Sequence, residues 1–420
     1  MAWTGACYRY TLRRRCIRIP HRHRRRTGEF SYWTDMQPAH NIEDLHRFAK
    51  KRLPRVAYDY LERGAEDDVT MDDNRAVLQR IRLRPRVLVD VSRRSQRVTL
   101  FGKEYDAPLG VAPTGIAGLY CYDADVALAR AAAAANLPFV LSTASFVRLE
   151  HVAERAGGTK WFQLYMSKDR EAAKRLVDRA CAAGYEALVM TGDVPVIGNR
   201  EFNLRNGWKI PFKLTGRNVI DGLMHPRWLV SVFLRTLADS GVPRFQNVDE
   251  NVGGRIVSAN LQSFRARRDA VDWHDVEWLR GIWPRQLFVK GILTAHDARR
   301  ALASGADGVF VSNHGGRQLD GTLTPIDELP QIADAVGGRI NVMVDSGFRR
   351  GSDIVKALAL GADMVFVGRA PLYGAVAGGE AGAKHALDIL KTELDRVMAL
   401  IGCNSIAELD ARYLDLPHEA

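Results

Sequence analysis

From about residue 108 the chain alternates short apolar runs with alanine-rich stretches of helical character, eight times over. The runs are Leu109–Ala112, Phe139–Leu141, Trp161–Leu164, Ala187–Met190, Leu287–Val289, Val309–Val311, Val342–Val344 and Val365–Val367. Between them lie segments such as Asp123–Ala135, Arg170–Ala183, Ala295–Ser304 and Ser352–Leu360. Runs that are apolar throughout suit strands covered on both faces, as parallel strands sheathed in helices are. Eight strand-then-helix units predict a closed (β/α)8 barrel, a TIM barrel of the α/β class. An internal echo agrees. Gly305-Ala306-Asp307-Gly308-Val309-Phe310-Val311 returns as Gly361-Ala362-Asp363-Met364-Val365-Phe366-Val367, and Gly184–Met190 is a weaker copy. Each copy reads as a helix exit at glycine, a short turn and an inner strand.

Three segments lie outside the rhythm. Residues 36–107 read as a helical preface with a short hairpin at Val98–Tyr105, and Asn41 followed by Asp44, Leu45, Phe48 and Ala49 reads as a capped helix. Between the fourth and fifth runs lie roughly 95 residues, far more than a βα connection needs, so an insertion at about 200–275 is expected. Residues 375–420 read as a closing helix and tail.

Charge matters only once it is located. Of the formal +11, residues 1–35 carry nine arginines against Glu29 and Asp35, a net +7, and leave +4 for the rest. This leader has no apolar periodicity. It reads as disordered, or as lying upstream of a start at Met36; a targeting peptide and a basic tail for nucleic acid or anionic lipid are the other readings. The overall basicity is therefore poor ground for nucleic-acid binding, and no nucleic-acid partner is expected. The five cysteines have neither paired nor metal-type spacing, which argues against a disulfide scaffold and against a metal site. No run of 18 apolar residues exists, so no spanning helix is expected.

In such a barrel the active site lies at the carboxyl ends of the strands. Every end carries polar or glycine residues: Pro113-Thr114-Gly115, Ser142, Gln163 with Tyr165, Thr191 with Asp193, Lys290, Ser312 with His314 and Arg317, Asp345 with Ser346, Gly347 and Arg349, and Gly368-Arg369. Any one could be a turn residue or helix cap; together they predict a polar ring around one mouth. Asp345–Gly351 and Gly368-Arg369 offer glycine backbones and cations where barrels commonly hold phosphate. Lys290 ends an apolar strand, where its ammonium would stabilise an anion; a snorkelling lysine is the alternative. The sharpest signal is Ser312-Asn313-His314-Gly315-Gly316-Arg317-Gln318. An imidazole that takes a proton near neutrality stands three residues before a guanidinium that can grip a carboxylate in two parallel bonds. Facing Asp193 across the mouth, His314 reads as a base held by a carboxylate.

These residues resemble the FMN-dependent α-hydroxy acid dehydrogenases and oxidases. Their hallmark Ser-Asn-His-Gly-(Ala/Gly)-Arg-Gln stands here as Ser312 to Gln318, and the likeness runs from about Arg52 to Tyr413. It includes Leu53–Tyr60, Gly64–Asp67, Trp161–Tyr165, Thr191-Gly192-Asp193 and Asp345–Gly351. The resemblance implies FMN as cofactor and oxidation of an L-2-hydroxy acid to the 2-keto acid. His314 would be the base, with Asp193 stabilising its imidazolium. Arg317 and Arg200 would bind the substrate carboxylate with help from Tyr60, and Tyr165 would meet the substrate oxygen. Lys290 would neutralise the reduced flavin. Pro113, Thr114, Gly115, Ser142, Gln163, Thr191 and Ser312 would line the flavin ring and Asp345 the ribityl chain. Ser346, Gly347, Arg349, Gly368 and Arg369 would lie at the phosphate. Carbanion and hydride paths both fit these residues.

Within the family the mandelate- and lactate-oxidising bacterial members resemble the chain most. Val140–Ser145, His225–Trp228 and Asp345–Lys356 tilt it toward mandelate. Gly115 and Ala144 stand where glycolate oxidases carry alanine and tryptophan, which predicts a roomier wall. Residues 200–235 carry seven basic side chains against Glu201 and Asp221, interleaved with Trp208, Phe212 and the run Trp228–Leu234. Such a segment reads as interfacial. By resemblance the insertion attaches to the membrane surface at the cytoplasmic face of the inner membrane, electrons pass to a quinone or another respiratory-chain acceptor, and the chain is a homotetramer. The rivals are a soluble oxidase that uses O2, with the insertion as a lid, and a non-redox FMN- or phosphate-binding barrel.

Overall fold

The computed structural model describes residues 39–208, 212, 215–247, 255–257 and 268–416. The leader, Lys209, Lys213 and most of 248–267 lie outside the described residues.

Eight parallel strands close into a barrel in chain order: β1 (Leu109–Val111), β2 (Phe139–Ser142), β3 (Lys160–Leu164), β4 (Ala187–Thr191), β5 (Gln286–Ile292), β6 (Gly308–Val311), β7 (Asn341–Val344) and β8 (Met364–Val367), with β8 pairing β1. The expected strands are all present within a few residues. The largest departure is β5, which runs on through Lys290 to Ile292 across a register shift against β6. Lys290 therefore stands inside a strand rather than at its end. Gly291 makes the irregularity. Its φ is +101°, and a Cβ there would lie 2.6 Å from the Cβ of Asp193, so only glycine admits that close approach.

Side chains alternate along a strand, so one inward position in two fills the barrel. One inward layer, Ala112, Val140, Trp161, Val189, Phe288, Phe310, Met343 and Phe366, belongs to a single buried cluster. Trp161 stacks on Phe288 with ring centroids 5.0 Å apart, and Phe310 meets Phe366 at 4.8 Å. Two residues further along each strand come Thr114, Ser142, Gln163, Thr191, Lys290, Ser312, Asp345 and Gly368. The apolar layer is thus the floor of a cup, and the polar ring read from the sequence is its wall. The hairpin Val98–Leu100/Lys103–Tyr105 shuts the opposite end, with Leu100 and Tyr105 in the same cluster and Phe101 against Phe288.

The preface forms three helices: α1 (Ile42–Arg52), α2 (Arg55–Glu62) and α3 (Val69–Arg80). Asn41 caps α1 by accepting from the backbone N–H of Asp44. The closing helix begins earlier than expected, at Arg369, and runs to Leu400 with a break at Gly378–Gly379. Leu414–Asp415 then pairs with Arg82–Leu83.

The insertion leaves β4 and folds into Glu201–Arg205, Gly216–Met224 and a continuous helical run from Pro226 to Ser240, before Trp273–Ile282 resumes the barrel helices. Trp228 fixes it to the barrel: its ring is buried and its indole N–H donates to Leu119 O at 2.9 Å. On the outer side Val219, Ile220, Leu223, Met224, Val230 and Leu234 are exposed. No described helix is long and apolar enough to cross a membrane.

Candidate active site

One cleft at the carboxyl ends of the strands is lined by Tyr60, Pro113, Thr114, Gly115, Gln163, Tyr165, Thr191, Arg200, Lys290, His314, Arg317, Asp345, Ser346, Gly347, Arg349, Gly368 and Arg369. Three of the residues singled out from the sequence, Asp193, Ser142 and Ser312, stand behind this lining. Each holds a lining residue. The Ser142 hydroxyl donates to Gln163 Oε1 at 3.0 Å, and the same amide donates to Thr191 Oγ1 at 2.9 Å. Lys290 Nζ donates to Ser312 Oγ at 2.5 Å and lies 2.8 Å from the Asp345 carboxylate. Both strings are buried, so every side chain in them has a fixed orientation.

Asp193 lies behind His314, with His314 Nδ1 at 3.0 and 3.2 Å from its two carboxylate oxygens. Burial raises the Asp193 pKa, but His314 and then Lys290 outweigh it and hold the carboxyl below its usual range. An ionised Asp193 puts the proton on Nδ1 and leaves Nε2 as the basic nitrogen. Burial also holds the imidazole below the ordinary histidine pKa; Asp193 pulls the other way, while Lys290 and Arg200 push further down. At neutral pH the ring is a free base beside a fixed anion. The backbone serves the same geometry. His314, Gly315 and Gly316 all have positive φ, a run that L side chains rarely adopt. Gly316 O accepts from the Ala65 N–H at 2.8 Å, and a Cβ on Gly64 would lie 2.5 Å from that oxygen. That contact is the physical reason for the Gly64-Ala65 pair in the preface.

Two guanidiniums complete this side of the cleft. Arg317 lies over the Tyr60 ring at 5.1 Å and donates to Arg63 O at 2.7 Å. Arg200 lies 6.0 Å over the same ring and donates to Arg317 O at 3.2 Å. Burial, then Arg317, lowers the Arg200 pKa to about 10, since both disfavour a second positive charge there. Tyr165 is pushed up to about 12 by burial and then by Asp193, so its hydroxyl is a neutral donor. On the opposite side Gly347 and Gly368 bring backbone to the cleft beside Arg349 and Arg369.

Tyr120, Leu61 and Leu372 line the cleft without having been singled out from the sequence. Tyr120, in the loop after β1, is buried beside Tyr60, Arg200 and Arg317; its only signal was its place a few residues beyond Gly115. Leu61 joins the wall from α2. A further residue reaches Tyr165 from outside the cleft. Arg268, at the end of the insertion, stacks its guanidinium 4.6 Å over the Tyr165 ring, and nothing in its own stretch of chain marks it.

The donor set suits a phosphorylated flavin. Cations and glycine backbones stand at one end, where they could hold a phosphate, amide and hydroxyl groups line the middle, and the buried Lys290 ammonium could offset the negative charge that a reduced ring gains. A base and paired guanidiniums face the same space. Fold and site together define a flavin-dependent barrel oxidoreductase acting on a carboxylic acid.

The FMN-dependent dehydrogenase family profile matches residues 49–416. (S)-Mandelate dehydrogenase of Pseudomonas putida is 47% identical over 375 residues, covering 89% of this chain and 93% of that protein. L-lactate oxidase of Nostoc sp. is 41% identical over 382 residues, covering 90% and 98%. A crystal structure of the monotopic membrane protein (S)-mandelate dehydrogenase superposes with a TM-score of 0.85 at 46% identity, covering 90% of this chain and all of that one. The chain belongs to the FMN-dependent dehydrogenase family, with FMN as cofactor and oxidation of 2-hydroxy acids as its reaction.

Proposed function

We propose that the chain oxidises an aromatic, mandelate-like 2-hydroxy acid to its 2-oxo acid and passes the electrons to a quinone-class acceptor of the respiratory chain. It does so as a peripheral protein on the cytoplasmic face of the inner membrane, docked through its insertion. The observation that carries the chemistry is the His314–Asp193 pair facing the same cleft as Arg200 and Arg317.

Arg200 and Arg317 hold the substrate carboxylate, with the Tyr60 ring beneath both guanidiniums. The Tyr165 hydroxyl donates to the substrate oxygen. His314 Nε2 takes a proton from the bound acid, and Asp193 stabilises the imidazolium. FMN, when bound, supplies the two-electron sink. Lys290, fixed between Ser312 and Asp345, offsets the negative charge that reduction brings. Arg349, Arg369, Gly347 and Gly368 hold the phosphate.

Wall size supports the bulky substrate. A Cβ on Gly115 would lie 3.1 Å from the Cβ of Ala144, so two minimal residues meet where larger ones would close the space. The membrane reading is supported by the exposed apolar stripe of the insertion, flanked by Arg217, Arg227 and Arg235, and by the relative described as monotopic. The experiment is anaerobic titration of the flavoprotein with (S)-mandelate, L-lactate and glycolate, then re-oxidation by a quinone or by O2. Bleaching by mandelate at the lowest concentration and faster re-oxidation by quinone are expected. Faster re-oxidation by O2, with peroxide formed, would instead make it an oxidase.

A further inference from the structure

Behind the arginines assigned to the phosphate lies a group of side chains that the reaction does not use. Glu62, the last residue of α2, has a side chain only 21% exposed. Its carboxylate accepts from the Tyr373 hydroxyl at 2.5 Å, and that hydroxyl accepts from Arg349 Nη2 at 3.4 Å. The Arg349 guanidinium also lies over the Tyr373 ring, 5.5 Å from its centroid. His46 closes the group from outside, with Nε2 at 2.8 Å from the Tyr58 hydroxyl and 3.6 Å from the Glu62 carboxylate.

On the inner side stand three guanidiniums. Burial, then Arg317, lowers the Arg369 pKa to about 10, with Arg349 acting in the same direction and Tyr373 and Glu62 opposing. Burial would raise the Glu62 pKa, but Arg369, then Arg349 and the Tyr373 hydrogen bond, hold it below the usual range. Asp353, the other carboxylate near Arg349, already accepts from the backbone N–H groups of Arg349 and Arg350. A cluster of buried cations needs matching negative charge. A phosphate monoester brings nearly two such charges at neutral pH. Before it arrives, Glu62 faces the cluster.

We propose that Glu62 is a resident counter-ion that stands in for the cofactor phosphate in the apoprotein, braced against Arg349 through Tyr373. This rests on the reading that Arg349 and Arg369 hold that phosphate. The sign of the effect follows from Coulomb's law. Attraction between Glu62 and the arginines exists with or without cofactor, whereas repulsion between Glu62 and the phosphate exists only with it. Replacing the carboxylate by an amide therefore weakens the apoprotein more than the holoprotein.

The test is thermal unfolding of wild type and Glu62→Gln as apoprotein, with FMN, and with riboflavin, which lacks the phosphate. Glu62→Gln should lower the apoprotein Tm, enlarge the rise produced by FMN, and leave the rise produced by riboflavin unchanged. Its FMN dissociation constant, read by flavin fluorescence, should fall about tenfold. An FMN increment equal to or smaller than that of wild type overturns the inference. Tyr373→Phe keeps every charge and should show the wild-type FMN increment; an enlarged one would assign the effect to packing and overturn the inference too. If apo Glu62→Gln does not fold, refolding with FMN should restore it, and failure there also overturns the inference. Equal stabilisation of wild type by FMN and riboflavin would instead overturn the phosphate site itself.

Discussion

His314 stands in left-handed backbone and holds Asp193 through Nδ1, which leaves Nε2 for the role proposed for it, that of the base toward the substrate. Because its pKa is held below the ordinary histidine value, kcat/KM should be flat at neutral pH and fall only on the acid side, as the base is protonated. Asp193 favours the charged ring. Asp193→Asn should therefore move the acid limb to lower pH while reducing kcat by roughly 10²-fold or more. An acid limb that stays put or moves upward in a pH–rate profile contradicts the assigned pairing. Lys290→Ala should cost roughly 10²-fold or more in the rate of flavin reduction measured by stopped flow, since the buried ammonium is the cation poised for that charge. Near-normal reduction removes Lys290 from the mechanism. Gly115→Ala should lower kcat/KM for mandelate relative to lactate by about tenfold, the scale of one added methyl in a tight pocket; an unchanged ratio would place the aromatic ring elsewhere.

Elements explain which residues the sequence revealed and which it hid. The strand ends were readable because parallel strands are apolar throughout, so a polar residue two places past a buried one stands out: Gln163 after Trp161, Lys290 after Phe288, Ser312 after Phe310. The same register puts Ser142 and Ser312 in the polar ring, yet their short side chains sit behind those of their neighbours. A serine is too short to pass its longer neighbours Gln163 and Lys290, and it becomes their anchor. Arg268 was hidden because its own stretch of chain has no motif, and Glu62 because it falls between the two preface motifs, Leu53–Tyr60 and Gly64–Asp67. Only the folded chain brings Arg268 onto Tyr165, about a hundred residues away. The β5 irregularity was likewise invisible, since Gly291 after Lys290 reads as a simple strand exit. Gly291→Ala should push on Asp193, and its signature should be loss of kcat with the flavin spectrum retained. Wild-type turnover in that variant would show that the close approach is unimportant.

The barrel provides a rigid cup, and the insertion adds an exposed apolar stripe to one flank. The sequence located that insertion from its length and basic residues, but its exposed stripe of Val219, Ile220, Leu223 and Met224 needed the helix to be seen. Trp208 packs on Tyr60 at 5.3 Å, so removing the whole segment would disturb the substrate side of the cleft. Paired substitutions on the outer face, Leu223→Glu with Met224→Glu, are the cleaner probe. They should move the protein from the membrane to the soluble fraction while leaving turnover with a soluble dye unchanged; wild-type protein found only in the soluble fraction contradicts the docking. If one imidazole and two guanidiniums set an acid against FMN, a single anaerobic spectrum reveals it. Purified protein should show the flavin absorption, and (S)-mandelate should bleach it in wild type but not in His314→Ala. A flavin that stays oxidised in the wild-type protein with every 2-hydroxy acid tried would rule out this arrangement.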